Sequence, residues 1–216
     1  MARYLQAKCR RCRAENQKLF LKGERCLSVK CPIDKNYSLL RKYAPGKSSG
    51  TRLKKKSVYG VQLKEKQKMK QIYGVLERQF RRYFEIANRQ KGITGENLVK
   101  ILECRLDNVL YRMHFASSRA QARQLVLHGH VEVNGRKVNI PSYSLKEGDT
   151  ISIKDKSKGS VTIAESLKAV ETQGVMPWLE VNTESLTGVL KQIPRRSEVV
   201  DLQDINEQLI VELYSK

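Results

Sequence analysis

Residues 116–138 read Ala116-Ser117-Ser118-Arg119-Ala120-Gln121-Ala122-Arg123-Gln124-Leu125-Val126-Leu127-His128-Gly129-His130-Val131-Glu132-Val133-Asn134-Gly135-Arg136-Lys137-Val138. Ser118 followed three places later by Gln121 is a capping-box signature and predicts a helix beginning just after Ser118. Gly129 closes that helix near His128, because glycine takes the left-handed turn that ends a helix at little steric cost. Val131-Glu132-Val133 then alternates into Asn134-Gly135, the pair that suits a two-residue hairpin turn, and Arg136-Lys137-Val138 returns as the partner strand. A capped helix running directly into a hairpin predicts an α+β domain.

Working outward, Thr94 can cap a helix whose apolar stripe is Leu98, Ile101, Leu102, Leu106, Val109, Leu110 and Met113. Cys104 falls within it as an ordinary helix residue. Before that, Met69, Ile72, Tyr73, Leu76, Phe80, Tyr83, Phe84 and Ala87 recur at three and four, the stripe of another amphipathic helix, ended by Gly92. Its aromatics are read as core, not as stacking platforms. On the other side of the hairpin, Lys146-Glu147-Gly148-Asp149 turns into a strand, Thr150-Ile151-Ser152-Ile153. Residues 161–173 read as helix, Trp178-Leu179-Glu180-Val181 and Gly188-Val189-Leu190 as strands, and Asp201 to Tyr214 as a closing helix with Ile205, Leu209 and Leu213 on one side. No repeat of solenoid period is present.

The 216 residues carry 42 Lys and Arg against 22 Asp and Glu, a net charge of +20. The charge is uneven: residues 1–60 carry +14, residues 61–160 carry +10, and residues 161–216 carry −4. Such an excess calls for a polyanionic partner, and it assigns that partner to the first two-thirds of the chain. No segment is long and apolar enough to span a bilayer, and no basic helix with a bulky apolar face suits a lipid surface, so the partner is read as nucleic acid. Pro45, Gly46, Ser48, Ser49 and Gly50 precede Lys54, Lys55 and Lys56, an extended basic arm whose charges gain by releasing counterions from phosphates. Gly46-Lys47-Ser48 is not a phosphate loop, because the glycine required five positions before Gly46 is Arg41.

Four cysteines lie in the first 31 residues. Cys9 and Cys12 are separated by two residues, Cys26 and Cys31 by four, and 13 residues divide the pairs. These gaps match structural zinc sites, where four thiolates complete a tetrahedron and leave no open position for chemistry. An iron–sulfur cluster and free thiols are the alternatives. Disulfides are disfavoured by an N-terminus without a signal-peptide apolar run. His114, His128 and His130 are read as structural or phosphate-facing, since the cysteines already fill the tetrahedron.

The segments Arg105-Leu106-Asp107-Asn108-Val109-Leu110-Tyr111-Arg112, Ala116 to Val126, and Val133-Asn134-Gly135 closely resemble the small RNA-binding module called the S-four domain. The likeness runs further, through Tyr59-Gly60-Val61-Gln62-Leu63, Tyr73-Gly74-Val75-Leu76-Glu77-Arg78-Gln79-Phe80, Thr94-Gly95-Glu96-Asn97-Leu98, Asn139-Ile140-Pro141-Ser142-Tyr143, Trp178-Leu179-Glu180-Val181 and Ile205 to Lys216. Together these resemble, end to end, the bacterial or organellar family of the fourth small-subunit ribosomal protein. One departure is local: many relatives carry Pro-Gly-Gln-His-Gly where this chain has Pro45-Gly46-Lys47-Ser48-Ser49-Gly50.

The resemblance implies an α+β protein made of an N-terminal zinc-clipped basic segment, a helical domain, and an inserted S-four RNA-binding domain, a helix pair packed on a small antiparallel sheet. The boundaries expected are 1–44 for the zinc module, 45–60 for the basic arm, 61–101 for the helical domain completed by 201–216, 102–165 for the S-four domain, and 166–200 for a segment packing on it. The implied function is that of a structural, non-enzymatic constituent of the small subunit. It would bind 16S-type ribosomal RNA first, nucleate the subunit body, and influence accuracy near the channel by which messenger RNA enters; autoregulation occurs in some members. Zn(2+) at Cys9, Cys12, Cys26 and Cys31, the fifth small-subunit protein as neighbour, a cytoplasmic or organellar ribosome, no membrane and no homo-oligomer are the accompanying expectations. The RNA-binding residues expected are Arg3, Arg10, Arg13, Arg52, Lys54, Lys55, Lys56, Lys70, Arg105, Arg112, Ser118, Arg119, Arg123, His128, Arg136 and Lys137. Among them, Arg105, Arg112, Arg119, Arg123, Arg136 and Lys137 are expected to form one face for phosphates and ribose hydroxyls, with about a third of the arginines pairing internally with Glu103, Asp107 or Glu132. Two alternatives use the same module. One is a non-ribosomal RNA regulator or assembly factor; the other is a pseudouridine synthase, suggested by Arg105-Leu106-Asp107 but opposed by the helical stripe that follows and by the short chain.

Overall fold

The structure is a computed structural model that describes residues 4–33, 44–46, 55 and 57–215. It divides into two compact units, Met1–Asn97 with Val199–Lys216, and Leu98–Glu198. Among the described residues, no helix is long and apolar enough to cross a membrane.

In the first unit, α1 (Lys8–Glu15) and α2 (Glu24–Leu27) carry the cysteine-rich segment. Helix α3 (Val58–Ile72) starts inside the stretch expected to be extended, because the Ser57 hydroxyl accepts from the Gly60 amide and caps it. The spacing of Met69 through Ala87 predicts one helix, but the structure divides it into α3 and α4 (Glu77–Arg89). Gly74 turns left-handed at φ +65. The Val75 amide donates to Lys70 O and the Gly74 amide to Gln71 O, the paired bonds of a Schellman terminus. The turn aims Glu77 at α3, where it accepts from Lys66 Nζ at 2.6 Å, Lys70 Nζ at 2.8 Å and Tyr214 Oη at 2.9 Å. Burial pushes the Glu77 carboxyl up, yet these three hydrogen bonds outweigh it and hold the pKa down at about 2. The closing helix is shorter than expected. A 3-10 turn occupies Val200–Leu202, and α10 (Glu207–Tyr214) begins after Asn206, whose side chain caps the Gln208 amide. Helix α10 lies on α3, and the Tyr214 ring stacks on Phe84 at 4.6 Å.

Helix α5 (Thr94–Glu103) leads into the second unit. Here too one predicted helix is two, α5 and α6 (Leu106–Arg112). The break is made by strand-like pairing: Arg105 bridges Ser144, the Leu106 amide donates to Tyr143 O, and the Leu145 amide donates to Cys104 O. Cys104 therefore lies at the break, buried and not within a helix. Helix α7 (Arg119–Leu127) begins at Ser118 and ends at Gly129, as the capping residues predict. The Ser118 hydroxyl accepts from the Gln121 amide, but Gln121 Oε1 returns to Ser117 N and Oγ, one residue earlier than a simple capping box.

Strands β1 (Val131–Val133) and β2 (Arg136–Lys137) form the hairpin, with Asn134 at φ 50 and Gly135 at φ 72, the double left-handed turn of type I′. With β3 (Thr150–Ile153), β4 (Leu179–Asn182) and β5 (Thr187–Leu190) they make one sheet, order β2-β1-β3-β5-β4, every pairing antiparallel. Between β3 and β4 lie the short α8 (Asp155–Lys158) and α9 (Val161–Gln173). Helices α6 and α7 pack together and share a core with the sheet that includes Leu106, Leu110, Met113, Phe115, Ile151 and Trp178.

Candidate nucleic-acid interface

The arginine face expected on α6 and α7 is not a surface face. Arg105, Arg112, Arg119 and Arg123 are 1%, 4%, 9% and 8% exposed. Arg105 grips Asp107 with two bonds, Nε to Oδ1 at 2.9 Å and Nη2 to Oδ2 at 2.6 Å, and Arg123 Nη1 reaches the same carboxylate at 3.4 Å. Arg112 grips Glu103 in the same forked manner at 3.2 and 2.9 Å. Asn108 joins the pairs: its amide donates to Glu103 Oε2 at 2.8 Å, and its oxygen accepts from Arg119 Nε at 2.8 Å. The Arg119 guanidinium also covers the Tyr111 ring at 4.5 Å. All four arginines, not a third of them, are thus internal. The reason is spatial: the break at Cys104-Arg105 folds Glu103 and Asp107 inward, and charges removed from water must be paired where they lie. These side chains order the scaffold beneath the surface.

The exposed cations of this unit are elsewhere. Arg136 and Lys137 stand on β2 opposite Val133 and Glu132 and are both exposed. Lys146, Lys156 and Lys158 are exposed on the neighbouring loops and α8. His128 is exposed at the end of α7, while Ser118 is half-buried in its capping role.

In the first unit, Arg10 is exposed and Arg13 is half-buried, its Nε without an acceptor among the described residues. Arg11 was not anticipated. Its guanidinium lies 3.5 Å above the Tyr4 ring, and with Arg10, Lys64 and Gln71 it lines a groove of about 460 Å3. Basic residues interleaved with an aromatic were the available signal. Lys70, expected at the interface, is instead committed to Glu77 because the Gly74 turn brings the two together. Lys55 is exposed; Arg3, Arg52, Lys54 and Lys56 lie outside the described residues.

Cys9 and Cys12 sit one turn apart on α1, not in the tight turn their spacing suggests; Cys26 is on α2 and Cys31 follows it. Cys12, Cys26 and Cys31 are buried. Burial pushes the Cys12 thiol up to about 11, the Leu19 backbone opposes this, and Cys26, Cys9 and Cys31 are close enough to raise it further. The Lys22 amide donates to Cys26 Sγ at 3.3 Å, the kind of bond that supports a thiolate ligand. Four cysteine sulfurs are a donor set of the type zinc takes, but among the described residues no group of three or more metal-ligating side chains is placed to hold an ion.

Five antiparallel strands, the helix pair of α6 and the Ser118-capped α7, and an exposed basic hairpin define a protein of the S4-domain class. A family model described as "S4 domain" matches residues 104–151, and "Ribosomal protein S4/S9 N-terminal domain" matches residues 3–103. The chain belongs to the uS4 family of small ribosomal subunit proteins. It is 52% identical over 216 residues to the protein named "Small ribosomal subunit protein uS4" of Nitrosospira multiformis, 55% identical to that of Geobacter metallireducens, and 56% identical over 217 residues to "Small ribosomal subunit protein uS4A" of Alkaliphilus oremlandii, with all of each chain covered. Membership makes it a structural protein and not an enzyme. Asp107, the residue that suggested a pseudouridine synthase, is 4% exposed and held by two guanidiniums.

Proposed function

We propose that this chain is a structural constituent of the bacterial-type small ribosomal subunit in the cytoplasm, binding 16S-type ribosomal RNA early and nucleating the subunit body. The observation that carries the reading is similarity to uS4 proteins over the full length of both chains. The positive excess of residues 1–160 supplies the affinity for phosphate, and the exposed Arg136 and Lys137 are a contact point on the S4 domain. Arg10, Arg11 and Lys64 form a second basic contact in the first unit. The fifth small-subunit protein as neighbour and a position near the incoming messenger RNA belong to the same reading. In filter binding of the full chain to small-subunit ribosomal RNA, Arg136→Glu with Lys137→Glu weakens affinity. It also flattens the slope of log K against log salt by about one for each phosphate no longer neutralised. An unchanged slope would remove the hairpin from the interface. Arg119 and Arg123 are poor choices for that test, since reversing a buried, paired charge disrupts the fold first.

Cys9, Cys12, Cys26 and Cys31 hold a structural zinc ion in this reading. Bound there, the ion neutralises the thiolates and clips α1 to α2 without taking part in chemistry. Treatment with a chelator is expected to release close to one zinc per chain and to raise amide exchange only in residues 4–33, leaving α3, α10 and the five-stranded sheet protected. Loss of protection throughout the chain would contradict an accessory clip.

A further inference from the structure

The C-terminal end of α7 is built around two histidines. Gly129, at φ +72, closes the helix with a Schellman pair, the Gly129 amide donating to Val126 O at 2.9 Å and the His130 amide to Leu125 O at 3.1 Å. That motif sets His128 and His130 on either side of one left-handed residue, and their rings come out nearly parallel, 20° apart with centroids at 6.1 Å. His130 Nδ1 is fixed by Ser157 Oγ at 2.8 Å, whereas His128 is exposed. The two rings stand at the wall of a groove of about 300 Å3, which Gln121, Gln124 and Leu125 on the same face of α7 share with Ser160 across from them.

The polar groups of this groove are unevenly satisfied. Gln121 turns its oxygen to Ser117, which leaves its NH2 for the groove; Gln124 is exposed, and the Ser160 hydroxyl bonds to Thr162 Oγ1 at 3.0 Å. Lys137 crosses the backbone between the histidines, so that a Cβ added at Gly129 would collide with its Cε and stand 3.1 Å from its Nζ. Two nearly parallel imidazoles, amide edges and the Lys137 ammonium beside Gly129 fit a planar, hydrogen-bonding ring attached to a phosphate. Proteins read unpaired RNA bases in this way, stacking the ring and bonding its edge.

We propose that the groove receives one unstacked nucleobase of the bound RNA: the base lies against the His128 ring, Gln124 and Gln121 bond its edge, and Lys137 meets its phosphate. This rests on the RNA-binding reading above and adds a base-specific contact to it.

The test uses the full chain in two arms. In the first, AMP, GMP, CMP and UMP, with ribose 5-phosphate as the base-free control, are titrated while the imidazole resonances of His128 and His130 are followed by NMR. At least one nucleotide is expected to shift both rings saturably and ribose 5-phosphate to shift neither. In the second, His128→Ala and Gln124→Ala are each expected to weaken binding to small-subunit ribosomal RNA about tenfold with an unchanged salt slope, the signature of a base that is no longer held while every phosphate still is. Equal shifts with ribose 5-phosphate, no shift with any nucleotide, or unaltered RNA affinity in both variants would each overturn the pocket. If the variants bind as tightly as the unaltered chain, the base pocket alone fails. If the unaltered chain itself does not bind the RNA, the RNA-binding reading fails with it.

Discussion

Asp107→Ala is expected to destabilise the S4-domain unit by about 3–5 kcal/mol. The substitution removes the carboxylate that accepts both forked bonds from Arg105 and the bond from Arg123. Arg105 is 1% exposed and cannot turn to water without opening the pairing of its backbone with Ser144. Its charge then remains buried with its main counter-ion gone, and burying an uncompensated guanidinium costs far more than an exposed ion pair is worth. Trp178 is the only tryptophan of the chain, is 2% exposed, and lies in the core of the same unit, so urea unfolding followed by its fluorescence reports this unit directly. Replacing the pair together, Arg105→Met with Asp107→Leu, is expected to recover much of the stability, because an apolar pair needs no counter-charge. A cost below about 1 kcal/mol for Asp107→Ala would mean that the network behaves as a solvated surface pair.

The same residues show where sequence reading stops. The capped helix at Ser118, its end at Gly129 and the Asn134-Gly135 hairpin were legible because each is decided by neighbours within a few residues. The strand at 150–153 was legible from its alternation, and the strands expected at 178–181 and 188–190 fall within one residue of β4 and β5. The two helix breaks were not. Apolar residues at three and four continue through Gly74 and through Cys104 as they would in a straight helix, and only the return of Glu77 to Lys66 and Lys70, and of residues 143–145 to Cys104-Arg105, decides that the chain turns. Burial of the arginines followed from the second break. An arginine is ordinarily a surface residue, and nothing local announces that Glu103 and Asp107 will meet Arg105, Arg112 and Arg123 inside. The exposed cations of this unit that remain candidates for an interface are accordingly those of the hairpin, Arg136 and Lys137, not the α6 and α7 arginines.

Ending the chain at Gln203, and so removing α10, is expected to abolish cooperative folding of the first unit while the S4-domain unit stays intact. Helix α10 returns from the far end of the sequence to complete this unit. Ile210 is fully buried, and the Tyr214 ring stacks on Phe84 at 4.6 Å and Phe80 at 6.4 Å. Deleting one large apolar side chain from a core costs about 2–5 kcal/mol, and the truncation removes both Ile210 and Tyr214. Polar groups add to the cost. Gln62, 2% exposed, donates to Glu212 at 2.8 Å, and Glu65, 9% exposed, accepts from the Asn206 amide at 3.3 Å; the truncation removes both of these bonds. Glu77 would also lose the Tyr214 hydroxyl that helps keep it ionised. Together these terms rival the about 5–15 kcal/mol that holds a whole domain folded. Hydrogen exchange resolves the two units separately. Amides of α3 and α4 are expected to lose protection in the truncated chain, while those of α6, α7 and β3 keep it. Protected α3 and α4 amides after the truncation would show that residues 58–89 form a stable core without their C-terminal helix.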